Sequence, residues 1–246
     1  MEVHHHSHTE RRKWTHYFWE FFMLFLAVTL GFFVENQREH YVEHNREKQY
    51  MRSMVEDLMK DIQLLENESA TTTQQFNALD SIVQIINTGN LEEEQIRKMY
   101  ILQKRFLYPL TLELISRTEV QLKNAGAMRL IRNQVVNDSI INYWQLKDRI
   151  IYTREAINGH RIKAKDLSFI LFDNKYYMKS QTGFNHLLTE KKVSLLPHSS
   201  TLLIEFGNRI SHTSELLLFN YKTRLDVLSG TAQRLIELIK KEYHLK

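Results

Sequence analysis

The feature that most constrains this chain is an uncharged run near its N-terminus, from Phe21 to Val34. Including residues 17–19, across Glu20, extends the apolar stretch to eighteen residues. As an α-helix this stretch spans about 27 Å, slightly less than the roughly 30 Å hydrocarbon core of a bilayer. Because the run is apolar around its whole circumference, the sequence predicts a transmembrane helix over residues 17–34. A buried helix of a water-soluble protein is the alternative.

The beginning of this helix carries the side chains that favour a membrane interface. Trp14, Tyr17 and Trp19 are typical of an aromatic belt, and three cations, residues 11–13, precede the run. Glu20 lies near the edge of the span, where a charge costs less than at the bilayer centre. It is interpreted either as an interfacial carboxylate or as a proton or ion site inside an oligomer. No small-residue cleavage pattern follows, so the helix is expected to remain as an uncleaved signal anchor.

The flanking charges give a weaker prediction of orientation. Cations follow the span at Arg38, Arg46 and Lys48 about as closely as residues 11–13 precede it. The balance favours a cytoplasmic N-terminus and an exported C-terminal domain, in a single pass through the membrane.

The rest of the chain is expected to be helical. Only two prolines and seven glycines punctuate 246 residues, which is sparse for a protein built of sheets. The predicted fold class is all-α: the transmembrane helix continues into a long stalk helix, and an antiparallel helical bundle follows. Basic and acidic residues, 33 and 29 in number, are interspersed and give no nucleic-acid footprint. The absence of cysteine excludes disulfides, thiolate metal sites and a cysteine nucleophile.

Four segments are predicted along the chain. They are a His-rich and basic tail (1–16), the transmembrane helix (17–34), a charged stalk with a heptad-like pattern (35–68) and a helical bundle domain (69–246). In the third segment, apolar residues at four-three spacing predict a coiled-coil-like seam, which packs either on another subunit or on the rest of this chain. The seam residues are Met51, Val55, Leu58, Ile62 and Leu65.

Helix boundaries follow from caps and breakers. The expected helices after about Glu68 cover residues 72–87, 91–107, 116–126, 137–172 and 200–243. Ser116 and Glu119 match a capping box, and Asn137 or Asp138 is expected to cap the long helix. A bend at Gly159 and a break at Ser229 and Gly230 are also considered.

Two histidine patterns are candidates for metal chemistry. The first is the cluster His4, His5, His6 and His8, which could bind zinc, copper or nickel, more readily as adventitious ions than as a physiological cofactor. No other cofactor is indicated. The second consists of His40, Glu43 and His44, in the H-x-x-E-H order of one class of zinc peptidase. Two of its ligands share a helical face, but no third ligand is evident.

The N-terminal sequences HHHSHT, KWTHYFWEFFMLFLAVTLGFF and EHNREKQYMRSMVEDLMKD carry a resemblance. The chain resembles an uncharacterised family of bacterial single-pass membrane proteins, a domain of unknown function. The later sequences QLKNAGAMRLIRN and LIELIKKEYHL also look like stretches of such proteins. The resemblance implies a native His-rich start and an anchored helical bundle, and it implies no catalytic residue. With a bacterial source, the expected location is the cytoplasmic (inner) membrane.

The function expected from these features is non-enzymatic. A membrane-anchored helical domain for protein interaction, scaffolding or envelope sensing is the leading hypothesis, with lipid and either a protein partner or further copies of the chain as partners. One alternative is an oligomeric proton- or ion-conducting protein that uses Glu20. A second, less favoured, alternative is a zinc-dependent hydrolase built on His40, Glu43 and His44.

Overall fold

The computed structural model describes residues 14–89, 91–176 and 192–245, without the side chains of residues 106 and 107. Every regular element in these ranges is helical, which confirms the all-α prediction. The α-helices are α1 (Trp14–Thr88), α2 (Glu93–Leu102), α3 (Lys104–Leu107), α4 (Arg117–Asn124), α5 (Gln134–Leu171), α6 (Ser200–Glu215) and α7 (Thr223–Tyr243). A 3₁₀ turn covers Ala127–Leu130, and a π-helical segment, Leu216–Lys222, joins α6 to α7.

The chain divides into two compact units, Met1–Tyr50 and Met51–Lys246. In the described part of the first unit, every residue from 14 to 41 is exposed. The second unit, called the bundle below, contains the other helices. The predicted helix end near Glu68 is absent, because no glycine or proline interrupts the chain there and α1 ends only at Thr88, before Gly89 at φ 65°.

The described part of the bundle contains three long helical columns. Residues 51–88 of α1 run parallel to α5, since Gln75 Oε1 accepts from Arg161 at 3.0 Å and, further back on both helices, Asp61 interacts with Lys147. The third column, α6 to α7, runs antiparallel to both. Asn133 at the start of α5 donates to Glu242 near the end of α7 at 2.8 Å.

A fourth column is irregular and returns antiparallel along α1. It consists of α2, α3, the non-helical residues 108–116 and α4. Residues 108–116 are called the strap below. The strap begins where Pro109 was expected to end the preceding helix, and α3 does end at Leu107.

The core between the columns is apolar and closely packed. The side chains of Met51, Leu58 and Leu65 on α1 are almost fully buried, as are Phe206 and Leu225 on the third column. At Gly207 the columns approach closely, because an added Cβ would lie 3.3 Å from Ile86. A glycine there lets α6 pack directly on α1.

Several helix boundaries differ from the predicted ones. Asn133 caps α5 by accepting from the amide of Val136 at 3.2 Å, so the helix starts earlier than a cap at residue 137 or 138 would place it. The start of the last column is as predicted, with Ser199 as its cap. The column is not broken at residues 229–230. Its irregularity is instead the π-helical segment.

Candidate functional site

The apolar segment of the first unit has the surface that a bilayer would cover. Its helix is the one in the described ranges that is long and apolar enough to span a membrane, and no residue of its 18-residue apolar window is buried within the chain. Trp14, Tyr17 and Trp19 are all exposed. A helix that is apolar all round and exposed in water would be strongly unfavourable, so this geometry suits a lipid environment.

Glu20 lies two turns into the described helix and faces His16. The carboxylate Oε1 is 3.1 Å from the imidazole Nε2, and both side chains are about half exposed. The pair lies on one helical face at i, i+4 spacing, so a charge at Glu20 has a partner within the same chain.

The H-x-x-E-H pattern does not form a three-ligand metal site. His40 and His44 are exposed, and the Nδ1 atom of His44 lies 3.6 Å from Glu47 Oε2. Among the described residues, no group of three His, Asp or Glu side chains is placed to hold a metal. The cluster His4, His5, His6 and His8 lies outside the described residues.

The predicted seam is buried inside the bundle. Met51, Val55, Leu58 and Leu65 are buried against this chain's own helices, and Ile62 is half-buried. The spacing allows the seam to pack either on another subunit or on the rest of this chain. In this structure the rest of the chain covers these side chains.

An extensive polar site of the bundle lies beneath the strap. Four side chains of α5 donate to strap carbonyl oxygens in antiparallel order: Lys147 to Ile115, Arg154 to Leu112, Asn158 to Leu110 and Arg161 to Tyr108. The Lys147 bond is 2.8 Å and the Asn158 bond is 3.1 Å. Asn158 also accepts from the Leu110 amide at 2.9 Å. These bonds satisfy backbone groups that no regular secondary structure pairs.

Two carboxylates of α1 hold the other end of the strap. Asp61, 1% exposed, accepts from the Ile115 amide and from the Tyr143 hydroxyl, both at 2.7 Å. Burial raises the pKa of Asp61, although both bonds and the charge of Lys147 oppose the shift. Burial, together with the charge of Asp61, also raises the pKa of Tyr143.

Asp57 caps α4 from a distant part of the chain. One carboxylate oxygen accepts from the amide and the hydroxyl of Thr118, at 3.0 and 2.6 Å. The other oxygen forms an ion pair with Arg117 Nη2 at 2.8 Å. The predicted capping box is wrong, because Ser116 makes no cap bond and its ψ of 6° is not the extended conformation of an N-cap.

Glu119, the other half of the predicted box, is used differently. Its carboxylate pairs with Lys123 at 2.6 Å and with Lys147 at 2.9 Å. Burial would raise the pKa of Glu119, but the hydrogen bonds from the two lysines outweigh it and the pKa is lowered. The box is therefore replaced by an ion-pair network between α4 and α5.

The π-helical segment supplies a further contact of this interior. Tyr221 is fully buried and donates to Glu68 Oε1 at 3.1 Å. Burial raises the pKa of Glu68, opposed by this bond and by the charges of Arg161 and Arg154. Burial lowers the pKa of Arg161 to about 10, so the guanidinium stays charged at neutral pH.

The polar interior has a seven-residue period on both parallel helices. Its members are Asp61, Glu68 and Gln75 on α1 and Lys147, Arg154 and Arg161 on α5. We call these six residues the polar ladder. The ladder is not among the predicted sites, because the apolar seam is the heptad pattern that the sequence prediction uses. The sequence does carry a signal, since polar residues at a matching seven-residue spacing in two helices, acidic in one and basic in the other, favour two facing helices.

The chemistry that the ladder can perform is limited by its bonding. The carboxylates of Asp61 and Glu68 accept hydrogen bonds from a strap amide or from tyrosines, and the cations of α5 donate to strap carbonyl oxygens. Paired groups of this kind fix the position of a segment. No protein-family model, curated protein or solved structure matches the chain.

Proposed function

We propose that the chain is a non-enzymatic, membrane-anchored helical domain that binds a protein partner, acts as a scaffold or senses a signal in the envelope. The observation that carries the proposal is a division between two parts of the chain, one with exposed apolar side chains and one with buried charged side chains. An apolar helix window is left exposed, while the buried charges of the bundle are bonded to the chain's own strap. That division suits a tethered binding domain better than an enzyme.

Exposed apolar side chains on α5 support binding of a protein. Tyr152 is 76% exposed, and Ile162, Phe169 and Ile170 are each more than half exposed. Large apolar groups presented to water on one helix are typical of surfaces that a partner covers.

The structure contains a helix that is long and apolar enough to span a membrane. We propose the inner membrane of a bacterium as the location and, from the flanking charges, a cytoplasmic N-terminus and an exported bundle. The resemblance to bacterial single-pass proteins supports the same proposal. Protease treatment of intact cells and of spheroplasts tests it, because an exported bundle is cleaved as soon as the outer membrane is breached.

Partner binding is tested by site-specific photo-crosslinking in native membranes. A photoreactive residue replaces Phe169 or Tyr152, and the matched control places it at the exposed acids Glu155 or Asp166 of the same helix. We expect one discrete adduct from the apolar positions and much less from the acidic ones. Equal adducts from both sets would contradict the proposal. An adduct of twice the chain mass would identify a second copy of the chain as the partner.

Ion conduction through Glu20 is a second proposal, supported by the pair of titratable side chains His16 and Glu20 on one face of the apolar helix. It predicts proton or cation flux into proteoliposomes that is lost in Glu20→Gln. Flux no greater than in empty vesicles would remove this proposal and leave the first intact.

A further inference from the structure

The outer surface between α5 and α6 contains a cleft whose described lining residues all have polar side chains. Its volume is about 320 Å³, and its lining residues are His160, Lys163, Glu205, Asn208, Arg209 and His212. The two α5 residues are three apart and the four α6 residues span seven, so each set shares one helical face. The volume lies at the lower end of the range for small-ligand sites.

Positive groups outnumber negative ones in this cleft. Glu205 is its one carboxylate among the lining residues, and Arg209 of the same helix already binds it through Nε at 3.1 Å and Nη2 at 2.7 Å. Lys163 and the two imidazoles have no acid left in the cleft. Such a surplus of donors favours an anionic ligand.

The two histidines are in direct contact, so two potential hydrogen-bond donors lie side by side in the cleft. The rings of His160 and His212 are edge to face with centroids 4.9 Å apart. Burial, followed by the charges of His212 and Lys163, holds the pKa of His160 below its usual range. Protonation of His160 is therefore unfavourable without a counter-ion, and a multiply charged anion beside the ring would reverse this.

We propose that the cleft binds a phosphate-type oxyanion, with Lys163, Arg209 and the protonated imidazoles of His160 and His212 as donors. A divalent metal fits less well. The carboxylate that would complete a three-ligand set is held by Arg209, and two cationic side chains would repel the ion. The phosphate group can belong to a soluble phosphate or to a lipid headgroup, and the experiment separates these sources.

The test follows the titration of His160 and His212 in the full chain by NMR of labelled histidine, with assignment from His160→Gln and His212→Gln. In a phosphate-free detergent, inorganic phosphate should raise both pKa values by about half a unit or more relative to chloride at equal ionic strength. Lys163→Gln should weaken phosphate binding about tenfold, because one charge-assisted hydrogen bond is lost. Lys165→Gln is the matched control, since this lysine lies over the Phe169 ring and outside the cleft.

The second arm uses the full chain in lipid nanodiscs without soluble phosphate. A rise of both pKa values with phosphatidic acid, absent in pure phosphatidylcholine, identifies a lipid headgroup as the source. A rise with soluble phosphate alone identifies a soluble ligand, and either result supports the site. No rise in either arm, or equal binding in Lys163→Gln and Lys165→Gln, would overturn it. So would zinc binding by the histidine pair in the absence of a phosphate response.

Discussion

In residues 14–34 the largest side chains are apolar and exposed, whereas in the bundle charged side chains of α1 and α5 are buried against the strap. The difference shows that each region is adapted to a different surrounding. An exposed apolar helix is stable where lipid covers it. A buried charge is stable where partners replace the hydrogen bonds of water, and the strap supplies those partners.

The largest expected effect comes from the apolar seam of the bundle. Leu58 is 1% exposed, and its neighbour Met59 is 52% exposed. Leu58→Ala should lower the free energy of unfolding by about 2–5 kcal/mol through the cavity it leaves. Met59→Ala should change it by less than about 0.5 kcal/mol. Chemical denaturation followed by circular dichroism measures both.

The same pair of variants tests whether the seam joins subunits. Because the structure buries Leu58 within one chain, the loss of stability caused by Leu58→Ala should be independent of protein concentration. A destabilisation that disappears at high protein concentration would instead show that the seam is an interface between copies.

The second prediction concerns the exposed region. Leu26 lies at the middle of the predicted span, so Leu26→Arg should disfavour membrane insertion by about 2.5–3.5 kcal/mol. Gln37→Arg, beyond the span, is the control and should insert normally. Partition between membrane and soluble fractions after alkaline extraction gives the readout. Full retention of Leu26→Arg in the membrane would argue against a transmembrane role for this segment.

The third prediction concerns the distant cap of α4. Asp57→Ala leaves two buried donors of Thr118 without their acceptor and should cost about 1–3 kcal/mol. Ser116→Ala should change stability by less than about 0.5 kcal/mol, because the exposed serine makes no cap bond. If Ser116→Ala proved the more damaging variant, the local capping box would be restored and the assignment of Asp57 refuted.

How far the sequence predicts this structure depends on whether the signal is local. The apolar span, the all-α fold and the start of the last column are predicted from consecutive residues or from one cap. The cap of α4 is not, since Asp57 is 61 positions from Thr118 and only folding brings the two together. The strap has no periodic pattern of its own. The position of the strap follows from hydrogen-bond donors on α5. Their seven-residue spacing predicts a contact only when a second helix with the same spacing lies beside α5.

Other features leave no readable mark in the sequence. Asn133, Asn137 and Asp138 are all acceptable caps, so only the folded backbone selects Asn133. The π-helical segment has no glycine or proline to mark it in the sequence, and only the folded backbone shows its hydrogen-bond pattern. The cleft between α5 and α6 likewise depends on which faces meet.

The smallest expected effect is a pH dependence of opposite sign at two neighbouring carboxyl groups of the bundle. The pKa of Asp61 is raised above its unfolded value of 3.8, so the folded state binds the proton more tightly and stability falls as pH rises from 3.8 through the raised pKa. The pKa of Glu119 is lowered from 4.5, so its contribution to stability is present above that pH and is lost as pH falls through the lowered pKa.

Asp61→Asn should remove the pH dependence that comes from Asp61 while keeping both bonds, because an amide can accept from Ile115 and donate to Tyr143. Glu119→Gln should remove the pH dependence that comes from Glu119. Urea unfolding between about pH 3 and 7 measures the two slopes. Equal slopes in the two variants would mean that the buried carboxyl of Asp61 is not held by the strap as the structure places it.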